Sequence, residues 1–141
     1  MEIRRLKTAA TKGDPLAQFN LGILYNHRLD DNGHPTPSNR IEALKWLSAA
    51  AKHGLPRAQI HVAELLCEGS DMTEWIEACA WLIRAQANNL GAYHERATKN
   101  LAHVSAALTS NQIIDAQHMA ETFKSEEQYV PQVVAPRRRK R

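Results

Sequence analysis

The chain has 141 residues, 18 Lys and Arg against 15 Asp and Glu, a net charge of +3 at pH 7 and 43% hydrophobic residues, which is the make-up of one globular domain with room for a core. No apolar run approaches the roughly 18 residues of a membrane span, and the charged start MEIRRLKTAATKGDP has no apolar core of the kind a secretory leader needs. Two cysteines, Cys67 and Cys79, make no disulfide framework, so a reducing cytoplasm is the expected home, with both thiols as small core groups. The charge is uneven: RRRKR at 137–141 more than accounts for the net excess and leaves a mildly acidic body between basic ends.

In chain order, LKTAATK (6–12) predicts the last turns of a helix that stops at Gly13, where a left-handed residue commonly follows a helix. Asp14 caps the next helix and Pro15 takes its first position, where no donor is required. This helix runs over about 14–26. The stretch DDNGHPTPSN (30–39) cannot continue a helix. An Asn39-to-Glu42 capping box then starts a helix over about 39–53, with Ile41, Leu44, Leu47 and Ala51 on one face.

The chain then repeats itself. GLPRAQIHVAELL (54–66) aligns with GDPLAQFNLGILY (13–25), so Gly54, Pro56, Ala58 and Gln59 stand where Gly13, Pro15, Ala17 and Gln18 stood. Leu55 replaces the capping Asp14, and the helix over 56–68 relies on packing for its start. Asp71 with Glu74 suggests a second capping box before a helix over 73–88. In that helix EACAWL (77–82) repeats EALKWL (42–47), so Ala43, Trp46 and Leu47 return as Ala78, Trp81 and Leu82. Trp46 and Trp81 are expected to be core anchors. Trp75 has no counterpart and is expected either to pack under the 69–73 turn or to face a partner. Two helices remain, over 91–107 and 110–124. The second starts at Thr109 with Gln112 three residues on, and it places Ile113, Ala116, Ala120 and Phe123 on one face. Alanine is abundant against only two phenylalanines, and no segment alternates as a strand would. The expected fold is all-α: a short right-handed α/α solenoid of about three helix pairs within 1–124. Its units are about 13–53 and 54–88, with a closing helix pair at 91–124 and a disordered basic tail over 125–141.

The pattern Gly-x-x-x-Ala-Gln-x-x-Leu-Gly-x-x-Tyr followed by Ala-x-x-Trp-Leu resembles the Sel1-like repeat, a relative of the tetratricopeptide repeat. The first unit carries Gly13, Ala17, Gln18, Leu21, Gly22, Tyr25, Ala43 and Trp46. The second carries Gly54, Ala58, Gln59, Val62, Ala63, Leu66, Gly69, Ala78 and Trp81. It departs from the pattern at Ala63, Leu66 and Asp71-Met72. LTSNQIIDAQHMA (108–120) is similar to the closing segment of bacterial Sel1-like proteins, and a solenoid end needs such a cover over its last apolar face. The resemblance spans residues 6–124. It implies an adaptor with no chemistry of its own, whose first helices line a concave face that takes a peptide or helix of another protein.

The residues themselves offer no catalytic pattern. His27, His34, His53, His61, His94, His103 and His118 include no i, i+4 pair and no accompanying Cys-x-x-Cys, so they read as scattered surface imidazoles rather than metal ligands. Neither cysteine follows a glycine-rich elbow, and the six glycines form no phosphate loop. No cofactor, metal or enzyme activity is expected. Between the packing positions of 14–26 and 56–68 lie Asn20, Ile23, Asn26, His61, Glu64 and Cys67, a mixed polar strip that is the candidate recognition surface. The competing reading gives the tail residues Arg137, Arg138, Arg139, Lys140 and Arg141 to nucleic acid or another polyanion, through phosphate neutralisation. No aromatic residue interleaves with that run, and the body is acidic. The protein is expected to be a monomer or weak homo-oligomer with no membrane partner.

Overall fold

A computed structural model describes residues 2–28, 37–87 and 91–126. Among these residues there are seven helices and no strand: α1 (Glu2–Thr11), α2 (Pro15–His27), α3 (Pro37–Lys52), α4 (Pro56–Leu66), α5 (Met72–Ala87), α6 (Gly91–Ala107) and α7 (Ser110–Glu126). The fold is all-α, as the sequence pattern implies. One helix more is present than the six counted from periodicity, because α1 is a ten-residue helix rather than a few closing turns. The 29–36 part of the insertion and the basic tail from 127 lie outside the described residues.

Side-chain caps start α2, α5 and α7. Asp14 accepts from the backbone N–H of Leu16 at 3.0 Å and of Ala17 at 3.4 Å, whereas Leu55 offers no such bond. Thr109 and Gln112 form the reciprocal box, with the Thr109 N–H donating to Gln112 Oε1 at 2.9 Å and the Gln112 N–H to Thr109 Oγ1 at 3.2 Å. Two expected boxes differ. α3 begins at Pro37, so Asn39 lies inside the helix and its Nδ2 donates to the Arg28 carbonyl at 3.2 Å, tying the start of α3 to the end of α2. Asp71 accepts from Thr73 N–H at 2.9 Å, but Glu74 turns outward to Arg40 at 3.3 Å. The same guanidinium donates to the Leu65 carbonyl at 3.2 Å, one of the acceptors left over where α4 ends.

The two recurring junctions are built alike. Ala10 O, in the last turn of α1, accepts from the Gly13 N–H at 3.0 Å and from Gln18 Nε2 at 3.1 Å. Ala51 O, in the last turn of α3, accepts from the Gly54 N–H at 2.9 Å and from Gln59 Nε2 at 3.2 Å. Gly13 and Gly54 turn the chain at φ values of 97° and 89°, a region that side chains disfavour. Both glutamines are buried, at 6% and 0% exposure, so each amide is committed to the seam. The third junction keeps the eight-residue span with a different side chain: His94 Nδ1 meets the Gln86 carbonyl at 2.9 Å. That contact requires the tautomer with the proton on Nδ1.

Small residues let the helices close up. The position of a Cβ on Gly22 would stand 2.6 Å from Leu47 Cγ and 3.1 Å from the Leu47 backbone nitrogen, so α2 and α3 meet at the glycine itself. Trp46, 8% exposed, packs with Ala10, Ala17 and Leu21 and joins α1 to the α2/α3 pair. Trp81, 2% exposed, stacks on Phe123 with ring centroids 3.8 Å apart and planes 9° apart, and this fixes α7 against α5. α5 is the hub, with α4, α6 and α7 all packed on it. Trp75 is half-buried against the core, and its Nε1 donates to the Gly69 carbonyl at 2.8 Å, so it packs under the turn.

Replacing either Trp46 or Trp81 by alanine is expected to cost about 3–5 kcal/mol, and Gly22→Ala about 1–3 kcal/mol through overpacking against Leu47. Thermal melts check all three. Burial, with Glu74 adding to it, raises the carboxyl pKa of Glu77, while Lys52 opposes the shift. The fold therefore prefers Glu77 protonated, and stability falls as pH rises through that group's titration. Glu77→Gln should raise the melting temperature at pH 7, and the gain should disappear as pH drops below the ordinary carboxylate range.

Candidate functional site

The strip expected on α2 and α4 is partly open. Asn20 is exposed, while Ile23, Asn26, His61, Glu64 and Cys67 are half-buried. The two helices meet where the His61 ring lies 5.4 Å from the Phe19 ring. The row then continues onto α6. Arg57 of α4 lies over Phe19 at 5.7 Å and over Tyr93 at 5.6 Å, and it donates to the Tyr93 hydroxyl. Glu64 accepts two bonds from Arg96 Nη2, at 2.6 and 2.8 Å. α2, α4 and α6 thus form one row of first helices.

Between α4, α5 and α6 lies a cavity of about 250 Å³. Ala63, Leu82 and Val104 give it apolar walls, and Glu64, Cys67, Asn100 and His103 give it polar ones. Glu64 and Cys67 are the two strip residues that reach it, whereas Asn20, Ile23, Asn26 and His61 do not line it. The α6 residues Arg96, Asn100 and His103 were absent from the sequence-derived strip. The signal for them was the 35-residue spacing of the tryptophan motif, which, carried one unit further, sets Tyr93 and His94 at the positions of Ala58 and Gln59. His94 is correspondingly not a loose surface imidazole but the seam residue of the third junction.

The electrostatics suit recognition better than nucleophilic chemistry. Burial pushes the Cys67 thiol up to about 11, with Cys79 and Glu64 adding to the shift, and burial raises Cys79 as well. Both are protonated thiols at neutral pH and poor nucleophiles. Burial holds His61 below its ordinary pKa; Glu64 opposes this, and Arg96, His27 and Arg57 reinforce it. No group of three or more His, Cys, Asp or Glu among the described residues is placed to hold a metal ion. No helix among them is long and apolar enough to cross a membrane. The tail residues Arg137, Arg138, Arg139, Lys140 and Arg141 lie outside the described residues.

The architecture matches that of a protective antigen present in uropathogenic Escherichia coli strains, a protein displaying the SLR, or Sel1-like repeat, fold. The match has a TM-score of 0.70 at 25% identity, over 88% of this chain and 25% of that one. The chain adopts the Sel1-like repeat fold. An F-box protein of Arabidopsis thaliana is 40% identical over 63 residues, which are 45% of this chain and 16% of that protein. The Sel1-like chain therefore spans about a quarter or less of the length of either protein. No family model matches it.

Within this Sel1-like frame the Glu64–Arg96 pair is exposed enough to contribute little to folding, about 0.2–1 kcal/mol. Arg96→Met and Glu64→Gln should each leave the circular dichroism spectrum unchanged and shift stability by no more than about that amount in a chemical melt.

Proposed function

We propose that this Sel1-like module is a protein–protein adaptor that binds a peptide or helix segment of a partner along the row formed by α2, α4 and α6. The observation that carries the reading is the cavity between α4, α5 and α6, which opens beside Glu64 and Cys67 and extends a half-open polar strip. Stacked helix pairs present such extended surfaces, and a segment laid across them gains contacts from several units at once. The protonated thiols and the small cavity favour binding without chemistry. The adaptor works in the cytoplasm as a monomer or weak homo-oligomer.

The test compares two variants of the full chain as baits. Asn20→Arg with Glu64→Arg places bulk and charge on the strip and spares the buried Ala17, Leu21, Ala58 and Val62. The captured partner should bind about tenfold more weakly, roughly 1.4 kcal/mol, with helicity intact. Replacing Arg137, Arg138, Arg139, Lys140 and Arg141 by glutamine should leave most binding at moderate salt, where exposed charges are screened beyond about 8–10 Å. The reverse outcome, binding lost with the tail charges and indifferent to the strip, assigns the function to polyanion attachment through RRRKR.

A further inference from the structure

The two copies of the repeat differ in what covers them. Residues 6–25 recur as 47–66, so Leu6, Ala9, Leu16, Asn20 and Leu24 correspond to Leu47, Ala50, Arg57, His61 and Leu65. In the second copy these positions are closed. Leu47, Ala50 and Leu65 are 1%, 0% and 3% exposed, and Arg57 and His61 lie against the Phe19 ring of α2, the preceding first helix. Gly22 of α2 makes room for Leu47. In the first copy the same positions are open. Leu16 and Leu24 are 52% and 37% exposed, Asn20 is exposed, and Leu6 and Ala9 are half-buried. α3 is packed between α2 and α4, but no described helix stands against α1 as α2 stands against α3.

The open positions form one groove. Leu16, Asn20 and Leu24 follow at intervals of four and share one side of α2. Leu6 and Ala9 of α1 sit beside them, against the cluster of Ala10, Ala17 and Leu21. Cations border this groove. Arg5 and Lys12 lie four residues before and three after Ala9, which makes them its neighbours on the helix surface, and both are exposed. Together with Arg4 the three residues line one shallow depression. Arg28 stands beside Leu24. None of these cations is in an ion pair among the described residues. The Asp14 carboxylate, close by in sequence, already accepts the Leu16 and Ala17 N–H groups.

Building on the adaptor reading, we propose that a helix of a partner protein docks in the α1/α2 groove, in the place a preceding first helix would take. It adds one more helix to the row of α2, α4 and α6. Its face toward α1 has glycine or alanine at the centre, as α2 has over Leu47, and its face toward α2 covers Leu16 and Leu24. Glutamates or aspartates flank the small residue opposite Arg5 and Lys12. The chain's own tail is a poor occupant, because RRRKR would meet these cations with like charge.

Fluorescence anisotropy on the full chain tests this with a labelled peptide built on PLAQFNLGILYNH, the α2 sequence that performs the same covering over α3 and α4. A Glu-Ala-Ala-Glu turn at each end lengthens it past the roughly 12–15 residues below which an isolated helix is marginal. A second peptide has leucine in place of its glycine, and a third has lysine in place of each glutamate. The first should bind at least about tenfold more tightly than the second and severalfold more tightly than the third. Leu16→Gln with Leu24→Gln should weaken that binding about tenfold, with the melting temperature close to the parent's because both side chains are already exposed. Arg5→Glu with Lys12→Glu should turn the preference over to the lysine peptide.

Failure of the first peptide to bind, or binding indifferent to Leu16→Gln with Leu24→Gln, overturns the proposal. If Glu64→Arg still releases the captured partner in that case, the adaptor reading stands without this groove. Heparin binding that needs Arg5 and Lys12 but not the two leucines would make α1 a polyanion patch instead. Self-association abolished by the leucine substitutions would give the groove to a second copy of the chain. Asp30 and Asp31 belong to the segment outside the described residues. If asparagine at both raises peptide affinity about tenfold, that segment is the occupant and the partner proposal fails.

Discussion

The arrangement of the helices depends on a side-chain hydrogen bond that reaches back eight residues to the end of the preceding helix. Gln18 to Ala10, Gln59 to Ala51 and His94 to Gln86 repeat one link at three successive seams. The carbonyls at a helix C-terminus have no partner within the helix, and burying them against the next unit would be costly if they stayed unpaired. The buried amides of Gln18 and Gln59 and the half-buried imidazole of His94 meet that need and tie each first helix to the end of the helix before it. Because the seam is reproduced, α2, α4 and α6 fall into a single row, and the candidate surface exists only because they do.

The rest of the packing is fitted to that spacing. Alanines at 43, 50, 51, 58, 78, 80 and 85 are all buried, and Gly22 lets Leu47 occupy the space where a Cβ would stand. Volume missing from these small residues is supplied by two large ones, Trp46 toward the α1 end and Trp81 toward the α7 end. The ion pairs are secondary: Arg40–Glu74 and Arg96–Glu64 are both substantially exposed, and solvent screens them.

The fold was largely legible because its determinants are local and repeated. Gly-x-Pro junctions, the Ala-Gln doublet and the Trp-Leu doublet each come twice, and Thr109 with Gln112 is a self-contained cap. The recurrence of Gln18 as Gln59 was visible, but its acceptor was not, since a backbone carbonyl has no signature in the sequence. The third seam escaped because Tyr93 and His94 stand in for Ala58 and Gln59, so hydrogen-bonding capacity persists where the letters do not. Asn39 looked like a cap and is not, because Pro37 already serves as a helix start two residues earlier. The cavity was least legible of all. Ala63, Leu82, Asn100 and Val104 belong to three helices and share no motif, and only the seam geometry brings them together.

The seams also determine how the molecule bears load. Each unit is fastened mainly to its neighbours, and α1 packs chiefly on α2 through Ala10, Ala17 and the Gln18 link, with Trp46 of α3 closing over the same cluster. Among the described residues no packed helix pair joins α1 to α5, α6 or α7, so tension applied along the chain falls on the seams between neighbours. The array would yield one seam at a time, starting where a helix has a single neighbour, and each rupture would pay out a short length of chain before the next seam takes the force. A protein stitched in this way is compliant along its axis and can lengthen by steps without giving up the pairs that remain closed.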